Sequence, residues 1–210
     1  EDFNFEMYVM LGAWIDCKNA WTDLEPIHNE ESDRNAIEIA EAVRLTNAYP
    51  EIIKIIAVGN NGYIVESNNG GDNWSVVNSP TSNNLLDVFI ESSSVYWVAA
   101  ANGKLYKTNN SGSNWSSINL SSNAINAIDF KGDKGIAVGN NGGVFKSIDN
   151  GVNWTDLGAQ SVYNLNNVLH INDSVIIAVG ANGTILKNIS DAQDWLVVES
   201  NTTESLNALE

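Results

Sequence analysis

Few side chains in this 210-residue sequence have the type and surroundings that chemistry requires. His170 lies in the apolar segment VLHI, where a single histidine is more often a hydrogen-bonded structural residue than a catalytic one. Asp129 and Asp133 flank a predicted turn, but they lack the full pattern of a calcium-binding loop. Cys17 is the only cysteine, so an intrachain disulfide is excluded, and its apolar surroundings indicate a buried small residue.

Glu25, Glu30 and Glu31 are the remaining candidates for catalytic carboxylates. They lie in a polar loop before a predicted helix, where a solvated acidic surface is the simpler interpretation. We find no combination of nucleophile, base and oxyanion donor in residues 61–210. The sequence therefore predicts no catalytic residue, no metal site and no cofactor in that region.

The charge of the chain excludes several classes of partner. The formal net charge is −16; residues 1–51 contribute 12 acidic and 3 basic residues, and residues 52–210 contribute 14 and 7. An acidic surface repels phosphate groups, which argues against nucleic acid and against an anionic membrane surface. No apolar run has the length of a membrane span. We expect a protein or carbohydrate partner instead.

An internal repeat covers most of the chain. Four segments align, AVGNNGYIVESNNGGDNW (57–74), AAANGKLYKTNNSGSNW (99–115), AVGNNGGVFKSIDNGVNW (137–154) and AVGANGTILKNISDAQDW (178–195). Their closing tryptophans, at 74, 115, 154 and 195, are spaced by 41, 39 and 41 residues. A period of about 40 residues is typical of a β-propeller, in which each repeat forms one sheet.

Each repeat divides into four short strands joined by turns. Apolar runs are separated by Asn-Gly pairs, whose two residues both tolerate positive φ. The pattern predicts a mainly β fold, an incomplete β-propeller of four-stranded antiparallel blades. The strands predicted in the second and third repeats are Leu85–Ile90, Val95–Ala100, Lys104–Thr108, one that begins at Trp115, Ala124–Phe130, Gly135–Gly139, Gly143–Ser147 and Trp154–Leu157.

The second turn of each repeat carries the pattern S/T-x-D/N-x-G-x-x-W. Such residues favour a structural turn: the Asp or Asn accepts backbone amides, Gly takes a conformation closed to other residues, the hydroxyl joins the turn to the strand, and Trp fills the space between sheets. Binding of sugar or calcium is the alternative. The turn residues are Ser67, Asn69, Gly71, Trp74; Thr108, Asn110, Gly112, Trp115; Ser147, Asp149, Gly151, Trp154; and Trp195 of a decayed fourth copy with Asn188, Ser190 and Ala192.

This pattern resembles the Asp-box, or BNR, repeat. The flanking AVGxNGxIxKS over residues 56–210 further resembles photosystem II assembly factor-like β-propellers. The resemblance implies turns that stabilise the fold away from any active site, and an extracellular or periplasmic location. A sialidase is also compatible with Asp-boxes, but it needs arginines to bind the substrate carboxylate. Arg34 and Arg44 are the only arginines, and both precede the repeats.

Residues 1–51 depart from the repeat and form a separate predicted region, followed by the propeller repeats over residues 52–210. Met7–Asp16 has strand character, Asn29–Asn47 has one apolar helical face, and Ile52–Val58 is a second apolar strand. A strand, a helix and a strand in this order predict a βαβ unit of a parallel sheet. We also expect the first blade to lack its outermost element, and the ending SLNALE to begin a further blade in a longer natural chain.

Residues 8–60 resemble a fragment of a glycoside hydrolase family 17 barrel, the β-1,3-glucanases, through VMLGAWID, EIAEAVRLTNAYP and IIKIIAVGN. In that family a catalytic glutamate directly follows the Gly-Asn pair, whereas Asn61 follows Gly59-Asn60 here, and an amide cannot deliver the required proton. AVGN (57–60) satisfies both resemblances, which indicates a join of two sequences, a chimera.

Three functions are compatible with these observations. The first is a non-catalytic β-propeller interaction or assembly module of an exported protein, which would bind a protein or carbohydrate ligand on the flat face of the propeller. The second is part of a β-1,3-glucan hydrolase or transferase that carries a propeller, and the third is a sialidase-like hydrolase. Asn61 argues against the second, and the lack of arginines in the repeats argues against the third, so we expect a chain that is not an enzyme.

Overall fold

The computed structural model describes residues 54–189 and 195–209. The predictions for residues 1–53, including the glucanase-like strand and helix, Cys17 and the carboxylates Glu25, Glu30 and Glu31, lie outside the described residues. Lys54–Ser67 and Gly71–Glu210 belong to one compact unit. Within the described residues no helix has the length and apolar character of a membrane span.

Fifteen described strands form four antiparallel sheets, one for each repeat, which we call blades 1 to 4. The strands of blade 1 are β1 (Ile55–Val58), β2 (Ile64–Ser67) and β3 (Ser75–Val76), and those of blade 2 are β4 (Leu85–Ile90), β5 (Tyr96–Ala100), β6 (Lys104–Thr108) and β7 (Ser116–Asn119). The strands of blade 3 are β8 (Ile125–Lys131), β9 (Lys134–Gly139), β10 (Gly143–Ser147) and β11 (Thr155–Ala159), and those of blade 4 are β12 (Leu165–Asn172), β13 (Val175–Gly180), β14 (Ile185–Ile189) and β15 (Leu196–Val198). The mainly β, blade-like fold predicted from the repeat is therefore confirmed.

Several predicted strand bounds match those of the structure. Leu85–Ile90, Lys104–Thr108 and Gly143–Ser147 are strands over the predicted residues. The fourth strand of blades 2 and 3 was predicted to begin at the tryptophan, but it begins one residue later, at Ser116 and Thr155. The tryptophan still belongs to the turn that precedes the strand.

The hairpin turn after the second strand differs between blades. Asn61 and Gly62, and likewise Asn141 and Gly142, take positive φ within short 3-10 turns, Asn60–Gly62 and Asn140–Gly142. In blade 2 the Asn102-Gly103 pair also forms the turn, but only Gly103 has positive φ. The repeat is one residue shorter at this point, AAANG in place of AVGNNG.

AVGN (57–60) belongs to the propeller within the described residues. Its first two residues end β1, which pairs antiparallel with β2, with Ile55 opposite Ser67 and Val58 opposite Ile64. The amide of Asn61 donates to Asn84 Oδ1 at 3.0 Å, just as the amide of Asn141 donates to Asn164 Oδ1 at 2.9 Å. The described part of the predicted parallel strand Ile52–Val58 is therefore an antiparallel blade strand.

Blade 1 has three described strands, and the missing position is not the outermost one. Its strands β1, β2 and β3 correspond in order to the second, third and fourth strands of the other blades, because the AVGN and Trp segments align. The described residues thus leave unfilled the place of the first strand, which β4, β8 and β12 hold elsewhere. The prediction of a missing outermost element was wrong.

Among the described residues the hydrophobic core forms three clusters, each between two successive blades. The cluster between blades 1 and 2 includes Ile64 and Tyr96, and the cluster between blades 2 and 3 includes Trp97 and Ile125. The cluster between blades 3 and 4 includes Val138 and Leu165. Full burial of one such side chain contributes about 1.5–3 kcal/mol. Face-to-face packing of consecutive sheets is the packing of a β-propeller.

Candidate functional site

The Asp-box turn of blade 3 is a closed network of hydrogen bonds. Ser147 Oγ accepts the Gly151 amide at 2.9 Å and donates to Asp149 Oδ1 at 2.9 Å. The carboxylate of Asp149 also accepts the backbone amide of Asn153 at 2.8 Å and its side-chain amide at 2.7 Å. These bonds, with that from the Asn153 backbone first, lower the pKa of Asp149 below its ordinary value. The hydrogen bonds of the Asp149 carboxylate therefore stabilise the turn in which it lies.

Blade 2 repeats the same arrangement with an amide in place of the carboxylate. Thr108 Oγ1 accepts the Gly112 amide at 2.9 Å and donates to Asn110 Oδ1 at 3.1 Å, while Asn110 Oδ1 accepts the Asn114 amide at 2.8 Å. In blade 1 Ser67 Oγ accepts the Gly71 amide at 2.9 Å. Asn69 lies in the segment Asn68–Gly70, which falls outside the compact unit that contains the blades.

Two of the turn glycines lie against a side chain from the preceding blade. Gly151 has φ +75, and a Cβ atom there would come 2.4 Å from Cη2 of Trp97. Gly112 has φ +78, and a Cβ atom there would collide with Cγ1 of Val77, which directly follows β3 of blade 1. Both conditions require glycine, because a side chain would be strained by the backbone and blocked by its neighbour. The turn therefore joins two blades.

The tryptophans of the turns differ in burial. The Trp115 indole donates to the carbonyl of Asn78 in the preceding blade at 2.9 Å, and Trp154 packs edge-on against Phe130 at 5.8 Å. Trp195 is buried in the cluster between blades 3 and 4. Trp74 is 47% exposed, so the predicted filling of space between sheets does not extend to it. No described blade precedes blade 1, which leaves this indole without an equivalent neighbour.

Two carboxylates on first strands bridge successive blades. Asp87 Oδ2 accepts the amide of Ile128 at 2.8 Å, and burial raises the pKa of Asp87 above its ordinary value. Asp129 Oδ2 accepts the amide of His170 at 2.7 Å and lies 2.8 Å from His170 Nδ1. The histidine thus has the structural hydrogen bonds expected of it.

The structure does not bring the predicted acidic pair together as a site. Asp129 bonds to His170 of blade 4, whereas the carbonyl of Asp133 accepts the amide of Asn150. Within the described residues, no group of three or more His, Cys, Asp or Glu side chains could hold a metal ion. The bond of Asp129 joins blades 3 and 4, whereas that of Asp133 lies within blade 3.

A cleft between blades 3 and 4 is the surface feature that sequence reasoning missed. It has a volume of about 590 Å³ and lies between the loop after β11 and the ends of β14 and β15. Apolar side chains on its rim are exposed, with Val162 at 87%, Val197 at 79% and Tyr163 at 44%. The available signal was the apolar dipeptide Val162-Tyr163 in a loop that is polar in the other repeats. We call this feature the lateral cleft; its lining residues are Ala159–Tyr163, Asn182–Leu186 and Val197–Ser200.

The lateral cleft has the composition of a binding surface. Polar groups such as Gln160, Asn182 and Glu199 stand beside the apolar ones. Ligand sites in proteins are typically concave and mainly apolar, with a few polar groups that orient the ligand, and their volumes are about 300–1,000 Å³. The lateral cleft is thus a mainly apolar concavity whose volume falls within this range.

Comparison with known proteins shows what the repeats are similar to. Residues 68–161 match the family model described as photosynthesis system II assembly factor YCF48. A search of curated proteins gives no match. Among solved structures, YCF48 bound to D1 peptide has a TM-score of 0.60 at 18% identity, covering 76% of this chain and 55% of that one. YCF48 from Cyanidioschyzon merolae has a TM-score of 0.54 at 18% identity, covering 69% and 52%.

An enzyme shares the same fold. An ancestral GH74 enzyme has a TM-score of 0.58 at 16% identity and covers 68% of this chain, which spans 22% of the enzyme. The chain spans about half the length of the two YCF48 structures. At these identities the structural likeness concerns the fold alone. The resemblance to BNR, photosystem II assembly factor-like propellers is thus confirmed: residues 68–161 match the YCF48 family model, and the described sheets have a β-propeller fold.

Proposed function

We propose that this chain is a non-catalytic β-propeller module that binds a segment of a partner protein. The observation that carries the proposal is the lateral cleft, where Val162, Tyr163 and Val197 are exposed beside polar groups. Isolated exposed apolar residues need no explanation, whereas a contiguous group in a concave surface is typical of a binding site. A protein with this fold, YCF48, is known bound to a peptide, which supports the same kind of ligand here.

The Asp-boxes support the proposal by having a different role. Their hydroxyl and carboxylate or amide oxygens are engaged within the turn, at Ser147 and Asp149 as at Thr108 and Asn110. A ligand would have to replace these bonds, which makes the turns poor binding sites for sugar or calcium. The predicted structural role of the turns fits a module whose binding surface lies elsewhere.

The alternative of a glycoside hydrolase has one structural argument in its favour, the fold shared with a GH74 enzyme. Against it stands Asn61, which has φ 57 within the 3-10 turn Asn60–Gly62. Asn141 has the same φ, 57, in the equivalent turn of blade 3. Asn61 therefore meets the need of this turn for a residue that tolerates positive φ, and it does not occupy the position as a catalytic acid. Cleavage of β-1,3-glucan is therefore the second candidate. For the first candidate, the non-catalytic β-propeller module, we also propose an extracellular or periplasmic location.

Peptide binding by the full 210-residue chain tests the proposal. A panel of labelled nonapeptides, cationic, anionic and neutral, each with and without apolar residues, is titrated by fluorescence anisotropy, and soluble β-1,3-glucan is assayed for binding and release of reducing sugar. We expect saturable binding of at least one peptide class that contains apolar residues, and no glucan cleavage. Absence of saturable binding across the panel, or catalytic cleavage of the glucan, would overturn the proposal.

A further inference from the structure

We infer that the lateral cleft, together with the edge of β15, docks an extended peptide in which apolar and basic residues alternate. This inference rests on the proposed function and names the site and the chemical class of its partner. It follows from a comparison of the four repeats with one another, because the repeats supply internal references for what the fold itself requires.

The loop that borders the lateral cleft has lost the polar residues of its counterparts. The preceding hydroxyl has the same role in each loop: the amide of Tyr163 donates to Ser161 Oγ at 3.0 Å, as that of Asn123 does to Ser121 Oγ at 2.9 Å. Turn geometry is thus retained while the side chains change. Val162 replaces a serine and Tyr163 an asparagine, since the equivalent dipeptides are Ser82-Asn83 and Ser122-Asn123. The turn does not require the exposed apolar residues.

Strand β15 also has an apolar residue where the outer strands of the other blades have a polar one. Leu196 directly follows the tryptophan of its repeat, and the residues at this place in blades 1, 2 and 3 are Ser75, Ser116 and Thr155. Leu196 is 57% exposed and its neighbour Val197 is 79% exposed. Polar residues on an outer strand discourage pairing with another chain, and their replacement by apolar residues favours it.

The strand geometry suits an added strand. Within the described residues β15 pairs with β14 alone, with Leu186 opposite Val197 and Lys187 opposite Leu196. An outer strand paired on one side presents backbone amides and carbonyls on the other. An extended peptide can pair with such an edge, and its alternate side chains then enter the neighbouring cleft. The lateral cleft has a volume of about 590 Å³ for them.

The charge of this part of the chain selects a basic peptide. In the described residues 175–189 and 195–209 the acidic side chains are Glu199 and Glu204 and the basic one is Lys187, and Glu199 lines the lateral cleft itself. Opposite charges at the rim accelerate encounter and exclude like-charged partners. An acidic or phosphorylated peptide would be repelled, whereas lysine or arginine side chains next to apolar ones would meet both features of the site.

The test uses the full chain and a labelled heptapeptide of alternating valine and lysine. The variant Val162→Ser/Tyr163→Asn restores the residues of the other repeats, and Val76→Ser changes an exposed valine on the outer strand of blade 1 as a matched control. We expect the double variant to bind about tenfold more weakly and the control within about twofold of the parent chain. Far-UV circular dichroism and the urea midpoint verify that each variant is folded.

Glu199→Lys supplies a test that does not depend on removing apolar surface. It is expected to weaken binding of the valine–lysine peptide severalfold and to strengthen binding of a valine–glutamate peptide. Equal affinity of the parent chain, the double variant and Glu199→Lys would overturn the inference while leaving the proposed function intact. The same holds if another panel peptide binds and the valine–lysine peptide does not. Failure of every panel peptide would overturn the proposed function itself.

Sedimentation velocity distinguishes a second copy of the chain as the occupant. We expect the parent chain to have the same sedimentation coefficient over a hundredfold range of concentration. Self-association that Val162→Ser/Tyr163→Asn abolishes would overturn the assignment of the site to a basic peptide.

Discussion

His170 presents both its backbone amide and its ring nitrogen Nδ1 to a single atom, Oδ2 of Asp129, at 2.7 and 2.8 Å. The two residues lie on the first strands of blades 4 and 3, β12 and β8, and both side chains are largely buried, with 4% and 15% exposed. One carboxylate therefore holds two successive blades together.

Removal of this carboxylate is expected to destabilise the fold. Asp129→Ala leaves the partly buried amide of His170 and its buried ring nitrogen without their acceptor, which costs about 1–3 kcal/mol. Asp133→Ala is the control, because Asp133 is an exposed carboxylate in the hairpin between β8 and β9, and its change should stay within about 0.5 kcal/mol. Urea unfolding followed by tryptophan fluorescence measures both. Equal free energies of unfolding for the two variants would contradict the prediction.

Alanine substitutions at Gly151 and Gly158 distinguish the cost of backbone strain from the cost of overpacking. Both have positive φ, +75 and +77, but a Cβ atom at Gly151 would meet Trp97 whereas one at Gly158 would meet nothing within 4 Å. Gly158→Ala should cost about 1–2 kcal/mol of backbone strain. Gly151→Ala should cost a further 1–3 kcal/mol or so for overpacking against the indole. Thermal and urea unfolding of the two variants test this, and identical losses would show that the contact with Trp97 is not limiting.

The hydroxyl of Thr108 is expected to matter more than its methyl group. Thr108 is fully buried, and its Oγ1 accepts the Gly112 amide at 2.9 Å. Thr108→Val keeps the shape but orphans that amide, at about 1–3 kcal/mol. Thr108→Ser is the control, since serine holds this place as Ser67 and Ser147. Hydrogen exchange at the Gly112 amide should accelerate in the valine variant and stay slow in the serine variant.

The lowered pKa of Asp149 predicts that the stability of the fold depends on pH. The pKa of its carboxyl is lowered in the folded chain, chiefly by the hydrogen bond from the Asn153 backbone amide. The stabilisation is therefore fully present above the unfolded-state pKa of about 3.9, and it is lost as the pH falls through the lower folded-state pKa. Asp149→Asn keeps an acceptor oxygen, as in Asn110 of blade 2, but does not titrate.

The measurement is the free energy of unfolding of the parent chain and of Asp149→Asn at neutral pH and below about pH 4. We expect the advantage of the parent chain to shrink on acidification. A difference that is constant over this range would show that the turn does not depend on the ionised form of Asp149.

The order of strands and turns could be predicted because each repeat specifies itself locally. Alternation of apolar residues, Asn-Gly pairs and a closing tryptophan act over a few residues, so Lys104–Thr108 and Gly143–Ser147 were predicted with their observed bounds. At Ile52–Val58 the local pattern permitted two predictions, a parallel strand of a βαβ unit and a strand of the propeller repeats over residues 52–210. Only pairing of Ile55–Val58 with β2 decides for the propeller.

The candidate site was beyond sequence reasoning for a physical reason. Val162 and Val197 lie 35 positions apart in different repeats, and nothing in either segment alone predicts a shared cleft. The bond from Asp129 to His170 likewise spans 41 positions and depends on how two blades pack. The repeated sequence by itself determined the antiparallel blades and their turns, because those interactions are local. Only the tertiary structure decided which side chains of neighbouring blades meet, because packing between sheets joins residues that no local pattern relates.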